Sequence, residues 1–162
     1  AVSGARHFQK KIEDGRQKEA IDFFKKMADA PIEHIAIENP VGLMNNPKIF
    51  RRPDQIIHPY YFGDPYSKRT CLWLKNLEPL KHFKAGDQLD IEDPDVKITH
   101  VDKGEFVTFS SGKRMPKWYN DAAGSKDAGH IRSKTFPGIA KAMASQFSEQ
   151  ILLSTKRLQN GR

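Results

Sequence analysis

The stretch IEHIAIENPVG, Ile32 to Gly42, decides how the rest of the chain is read. Ile35, Ala36 and Ile37 form a short continuous apolar run, the pattern of a strand covered on both faces in a parallel sheet. The run stops abruptly on Glu38-Asn39-Pro40. Asn39 precedes a proline and is held extended, and Pro40 lacks the N–H that would continue a ladder. In an open α/β sheet ligands bind outside the carboxyl ends of the strands, so Glu38 stands where such a sheet places its chemistry. The expectation is an interior parallel strand, with Glu38 opening on a concave face shared with the loop after Ser3. The plainer alternative is a carboxylate bonded to a neighbouring loop or to an arginine.

Working outward, Ile12, Ala20, Ile21, Phe24, Met27 and Ala28 fall at helical spacing from about Lys10 to Ala30, and Pro31 ends the pattern. Helix followed by strand predicts an α/β layer. Beyond the loop GLMNNPKIFRRPD come two β-rich runs, QIIHPYYF and TCLWLKNL, separated by the turn formers of GDPYSKR and read as neighbouring strands. Residues 78–130 change character and read as a small recognition insertion. Within it, KAGDQLDIEDPDVKITHV, the turn DKGE and then FVTFSSGKRMPKWYND predict a small hairpin excursion carrying Lys113, Arg114, Lys117, Trp118 and Tyr119 at its far end. A final helix starts near Pro137, with Ile139, Ala140, Met143, Ala144, Phe147, Ile151 and Leu152 at three- and four-residue steps. The tail TKRLQNGR reads as a solvated end.

Charge narrows the partners. Lys and Arg number 27 against 20 Asp and Glu, a net charge of +7 with a pI near 9.5, over 162 residues that suffice for one core. Such a balance favours a polyanionic partner, or else serves solubility alone. Trp118 and Tyr119, flanked by cations, suit base stacking and phosphate contact, or alternatively packing under a loop. No apolar run approaches the ~20 residues of a membrane helix and no signal-type segment opens the chain, so a cytoplasmic, membrane-free protein is expected. The one cysteine, Cys71, lies in the apolar run TCLWL and reads as a small core hydrophobe, as Trp73 does. The six histidines show no ligand spacing, and no metal site is expected.

Four stretches resemble the cytosine-5 DNA methyltransferase family, in particular its small phage- and prophage-type members of restriction-modification kind, over nearly the whole chain. SGARHF followed by EDGR is similar to the back half of that family's catalytic loop, with Ser3, Gly4, Arg6, Asp14 and Arg16 as the matching residues. IENP resembles the family's Glu-Asn-Val strand end. FGDPYSKRTCLWL matches the Phe-Gly-x-Pro-Gln-x-Arg-x-Arg stretch at Phe62, Gly63 and Pro65, and KTFPGIAKAMASQF looks like the last motif, which closes over the methyl donor. The departures are Tyr66, Lys68 and Thr70 where Gln-x-Arg-x-Arg is expected, with Arg69 one place out of register, and Ser133-Lys134 in place of Gly-Asn. A lysine is a point charge and cannot copy a bidentate guanidinium fork.

The resemblance implies a partial Rossmann-like methyltransferase sheet with flanking helices, double-stranded DNA as partner and S-adenosylmethionine as cofactor. It implies Glu38 as the catalytic residue that grips the target cytosine, Asn39, Arg6, Lys68 and Arg69 as substrate contacts, and Thr135 and Pro137 beside the donor. The nucleophilic Pro-Cys and the Gly-rich donor strand would lie upstream of Ala1, so the expected activity belongs to a longer protein. A catalytically silent nucleic-acid-binding or interaction module of the same fold is the alternative.

Overall fold

The computed structural model of the chain describes residues 8–84 and 99–160. The chain divides into two compact units. The first draws on the chain up to Ile57, on Arg69–Pro79 and on the stretch from Glu149 onward; the second on His58–Lys68 and the described residues of Leu80–Ser148. No helix among the described residues is long and apolar enough to cross a membrane.

The first unit opens with two helices, α1 (Phe8–Glu13) and α2 (Arg16–Ala28), where the periodicity predicts one. The break falls at Gly15, whose φ of 79° is a left-handed conformation that a side chain resists. Across it, the Asp14 carboxylate accepts hydrogen bonds from the Arg16 backbone N–H (3.2 Å) and from its guanidinium Nε (2.8 Å).

Three strands follow: β1 (Ile35–Pro40), β2 (Gln55–Ile57) and β3 (Thr70–Lys75). They form one mixed α/β layer with the helices, but the sheet is antiparallel and its order is β1-β3-β2. This corrects the expected interior parallel strand: among the described residues β1 lies at the sheet edge, and Glu38 with it. The strand buried on both faces is β3, where Thr70, Cys71, Leu72, Trp73 and Leu74 are all buried, whereas Ile37 alone is buried on β1. Since β1 and β2 each run opposite to β3, they are parallel to one another, and their carboxyl ends meet the start of β3. Pro40 and Ile57 both pair with Thr70. The run QIIHPYYF contributes only Gln55–Ile57 to the sheet, because Pro59 cannot donate to a ladder and opens a 3-10 turn over Pro59–Phe62 instead.

Strand alternation assigns the two sheet faces. On one, Ile37, Cys71 and Trp73 pack with Phe24 of α2 and with Met44, joined by Ile35, Ile49 and Phe50. The Phe24 ring meets Trp73 edge-on at 5.0 Å and Phe50 at 5.3 Å. Each such buried aromatic contributes on the order of 1.5–3 kcal/mol relative to exposure. The Trp73 indole N–H donates to the Arg51 carbonyl at 3.0 Å, so the ring's polar edge is satisfied too. Helix α6 (Ser148–Asn160) is tied to the unit by Gln150, whose amide brackets Glu78, accepting from its N–H (2.8 Å) and donating to its carbonyl (3.3 Å), while Ile151, Leu152 and Leu153 stay exposed.

In the second unit, β4 (Phe106–Thr108) and β5 (Arg114–Pro116) form the expected antiparallel hairpin, turning at Gly112 with φ 76°. Lys113 sits beside that turn, but Lys117, Trp118 and Tyr119 do not lie at its far end. Pro116 terminates β5 and the chain passes directly into helix α3 (Lys117–Asp121). Helices α4 (Ala128–Ser133) and α5 (Pro137–Ala142) follow, the latter with its proline at the first turn as predicted. The final helix is not uniform, since Met143–Phe147 widens into a π-helical turn. Among the described residues, Pro59, Leu80, Ala122, Ile139 and Phe147 are buried apolar residues of this unit.

Candidate functional site

Glu38 stands near the carboxyl end of β1, half-buried, directly opposite Leu72 of β3. Alternation puts its side chain on the face away from α2, the face that also carries Thr70, Leu72, Leu74 and Ile57. All four of those neighbours are buried. Thr70 is 1% exposed, and its hydroxyl has no hydrogen-bond partner among the described residues. A carboxylate and an unpaired hydroxyl thus share one end of one sheet face. The loop after Ser3 that was expected to complete this face lies outside the described residues, and so does Arg6.

Asn39 belongs to the opposite face, paired across from Cys71, and its amide donates to the Pro40 carbonyl at 3.1 Å. Asn39 and Glu38 are therefore not two halves of one grip from the same side of the sheet. The Arg69 carbonyl accepts the Val41 N–H at 3.4 Å, which fastens the residue after Pro40 to the start of β3. Cys71 is fully buried and accepts from the Asn45 amide at 3.0 Å. Burial pushes its thiol up, against smaller downward pulls from Asn45 and the Arg69 charge. This cysteine is a core residue, as its setting in TCLWL predicts, and its thiol is poorly placed to serve as a nucleophile.

The remaining residues predicted from the sequence lie in the second unit. There the structure joins two of the stretches that carry the resemblance: the Asp64 carboxylate of FGDPY accepts the Gly138 N–H of TFPGI at 2.7 Å. Lys68 donates to the Lys134 carbonyl at 2.9 Å and reaches over the Phe136 ring. Phe136, Tyr66 and Trp118 cluster, with ring centroids 5.1–6.3 Å apart. Trp118 donates its indole N–H to the Ser67 carbonyl at 3.2 Å, and the Arg132 guanidinium lies 3.8 Å over Tyr119 while bonding that residue's carbonyl. Lys117 is paired with Asp121 at 2.5 Å, Arg114 lies over Phe106 at 5.0 Å, and Lys113 is exposed. Thr135 and Pro137 are exposed, and the nearest helix-start amide, that of Gly138, is already taken by Asp64.

One cluster has no signal in the sequence. His82 Nδ1 and His100 Nε2 lie 2.8 Å apart, and both rings stack on Tyr61, at 4.4 and 4.6 Å. The two histidines are 18 positions apart, and no spacing rule pairs them. Next to them, burial and the neighbouring Tyr61 push the Tyr60 hydroxyl up to about 12. Among the described residues no group of three or more His, Cys, Asp or Glu is arranged to hold a metal.

No family model, no curated protein and no solved structure matches this chain.

Proposed function

We propose that this chain is the target-base portion of a DNA cytosine-5 methyltransferase with a Rossmann-like catalytic sheet, Glu38 being the residue that grips the cytosine. The observation that carries the reading is the position of Glu38: half-buried, two residues from the Pro40 that ends the strand, on a sheet face where Thr70 presents an unpaired hydroxyl. Cytosine C5 becomes nucleophilic only after a thiolate adds to C6, and the charge that builds on the ring must be met at N3. A carboxyl group held at the end of a strand can supply that proton or hydrogen bond and also accept from the exocyclic amine. Extracting the base from its stack costs a few kcal/mol, which the basic surface offsets through phosphate contact. The thiolate is assigned to chain outside these 162 residues, since Cys71 is buried and its thiol is pushed up. S-adenosylmethionine supplies the methyl group, and no described residue is assigned to hold it.

The test is transfer of labelled methyl from S-adenosylmethionine to duplex DNA by the protein extended to include its upstream sequence. Glu38→Gln should reduce turnover by orders of magnitude, because an amide cannot deliver the proton to N3, while DNA affinity stays nearly unchanged. Full activity of Glu38→Gln would remove Glu38 from the mechanism. Absence of methyl transfer by the wild-type extended protein, with DNA binding intact, would favour a silent binding module.

A further inference from the structure

The second unit contains a cleft of about 320 Å³ lined by Pro65, Tyr66, Gly104, Glu105, Lys117, Trp118 and Asp121. No residue of it is shared with the Glu38 site. Its walls are held in place before anything binds. The Trp118 indole is fixed through its N–H to the Ser67 carbonyl, and Lys117 N–H donates to the Glu105 carbonyl at 2.8 Å. At Gly104 the φ is 78° and an added Cβ would sit 2.2 Å from the Pro65 carbonyl oxygen, so only glycine lets the two backbones close together here. Tyr66 and Tyr119 are similarly exposed, at 39% and 37%, but Tyr119 carries Arg132 over its ring and does not line the cleft, whereas Tyr66 lines it with Phe136 and Trp118 packed beside its ring.

Three properties limit the occupant. The volume is at the lower end for small-molecule sites, about 300–1,000 Å³, which suits one planar ring system better than a helix or a folded peptide. A tyrosine, a tryptophan and a proline offer stacking faces, while the Glu105 and Asp121 carboxylates can accept from amino groups in the ring plane. Lys117 in the wall is paired with Asp121, so the charge that meets a flanking phosphate comes from Lys113 and Arg114, outside the lining on or beside the strand that runs into α3. We infer that this cleft binds one unpaired, amino-bearing nucleobase of a nucleic-acid strand, stacked on Tyr66, with the flanking phosphates on the lysine and arginine side chains. The inference rests on the reading of the chain as a nucleic-acid-binding protein and deepens it.

Fluorescence anisotropy at low salt decides the matter, using a labelled oligodeoxycytidine octamer and an abasic octamer of the same charge. The wild-type chain should bind the base-bearing strand more tightly. Tyr66→Ala should weaken that strand about tenfold, the loss expected for one base-aromatic stack, and leave the abasic strand unchanged; Tyr66→Phe should restore binding. Equal affinity of the wild type for both strands, or equal weakening of both by Tyr66→Ala, would overturn the base site while leaving phosphate binding intact. Failure of the wild type to bind either strand would overturn the nucleic-acid reading and this site together. Circular dichroism of Tyr66→Ala separates a local loss from misfolding, and an unfolded Tyr66→Ala moves the decision to Tyr66→Phe and the wild type, whose base-bearing preference must then persist.

Discussion

The Asp64 carboxylate accepts the Gly138 N–H at 2.7 Å, across 74 residues of sequence. It acts on the first turn of α5, where backbone N–H groups have no partner within the helix, and an anion is favoured there on electrostatic grounds as well. Asp64→Ala should therefore cost about 1–2 kcal/mol, a fall of about 2–8 °C in Tm for a chain of this length. Asp64→Asn, which keeps an acceptor, should recover part of it. Gly138→Ala should be the more damaging change, because an added Cβ would meet the Phe62 carbonyl oxygen at 2.1 Å. Thermal unfolding of the three variants gives the order; a Gly138→Ala protein as stable as wild type would show that the two loops are not in contact as described.

Cys71 should be unreactive in the native chain. Its thiol is fully buried and held above the usual 9.0 chiefly by that burial. A thiol reagent at pH 8 should label it only after denaturation. The same shift sets a pH dependence. Between the ordinary value and the raised one, the unfolded chain loses its thiol proton while the folded chain retains it, so stability should decline as pH rises past about 9. Cys71→Ala should abolish that component of the decline. Rapid labelling of the native chain would contradict the burial.

Thr70 offers a stability test with the opposite sign. A buried hydroxyl without a partner forfeits about 1–3 kcal/mol of desolvation free energy. Thr70→Val keeps the shape and removes the hydroxyl, so it should leave stability unchanged or raise it by about 1 kcal/mol. A urea titration measures this. A clear loss would mean that the hydroxyl has a partner in solution, such as an ordered water or a residue outside the described ones.

How far the sequence reached can be judged on individual strands. The amphipathic pattern of α2 and the proline at the start of α5 are local signals, and each appears where the sequence predicts it, whereas the hairpin turns at Gly112, short of the Lys117–Tyr119 stretch expected at its far end. The direction of the sheet is not local. Ile35-Ala36-Ile37 carries the apolar run of a parallel interior strand, yet whether β1 ends in the middle of the sheet depends on where TCLWL inserts, and nothing in either run states its partner. The longer apolar run, Thr70 to Leu74, is the one that takes the centre. Glu38 was legible as a strand-end carboxylate, while its side of the sheet follows only from the register with Leu72. The His82, His100 and Tyr61 stack was illegible, because it joins segments distant in sequence through side chains that no motif groups.

On the proposed reading, binding to duplex DNA should be steeply salt-dependent, and the pairing of each cation ranks its expected share. Each phosphate neutralised adds about −0.9 to the slope of log K against log salt. Lys117 is already paired with Asp121, and releasing it to a phosphate costs the pair, whereas Lys113 is exposed beside the hairpin turn and Arg114 is anchored by its stack on Phe106 with an edge that can still face solvent. Lys113→Ala should therefore reduce the slope by about one unit, and the Lys113→Ala, Arg114→Ala pair by about two. Lys117→Ala should change it less, and Asp121→Asn should strengthen binding at low salt by freeing that lysine. Each loss should be nearly the same for DNA of any sequence, since phosphate contacts position a protein without reading bases. Anisotropy at several salt concentrations resolves these slopes. If Lys117→Ala lowers the slope as much as Lys113→Ala does, its pair with Asp121 does not survive in the complex, and the surface charge rather than the pairing decides which cations meet the phosphates.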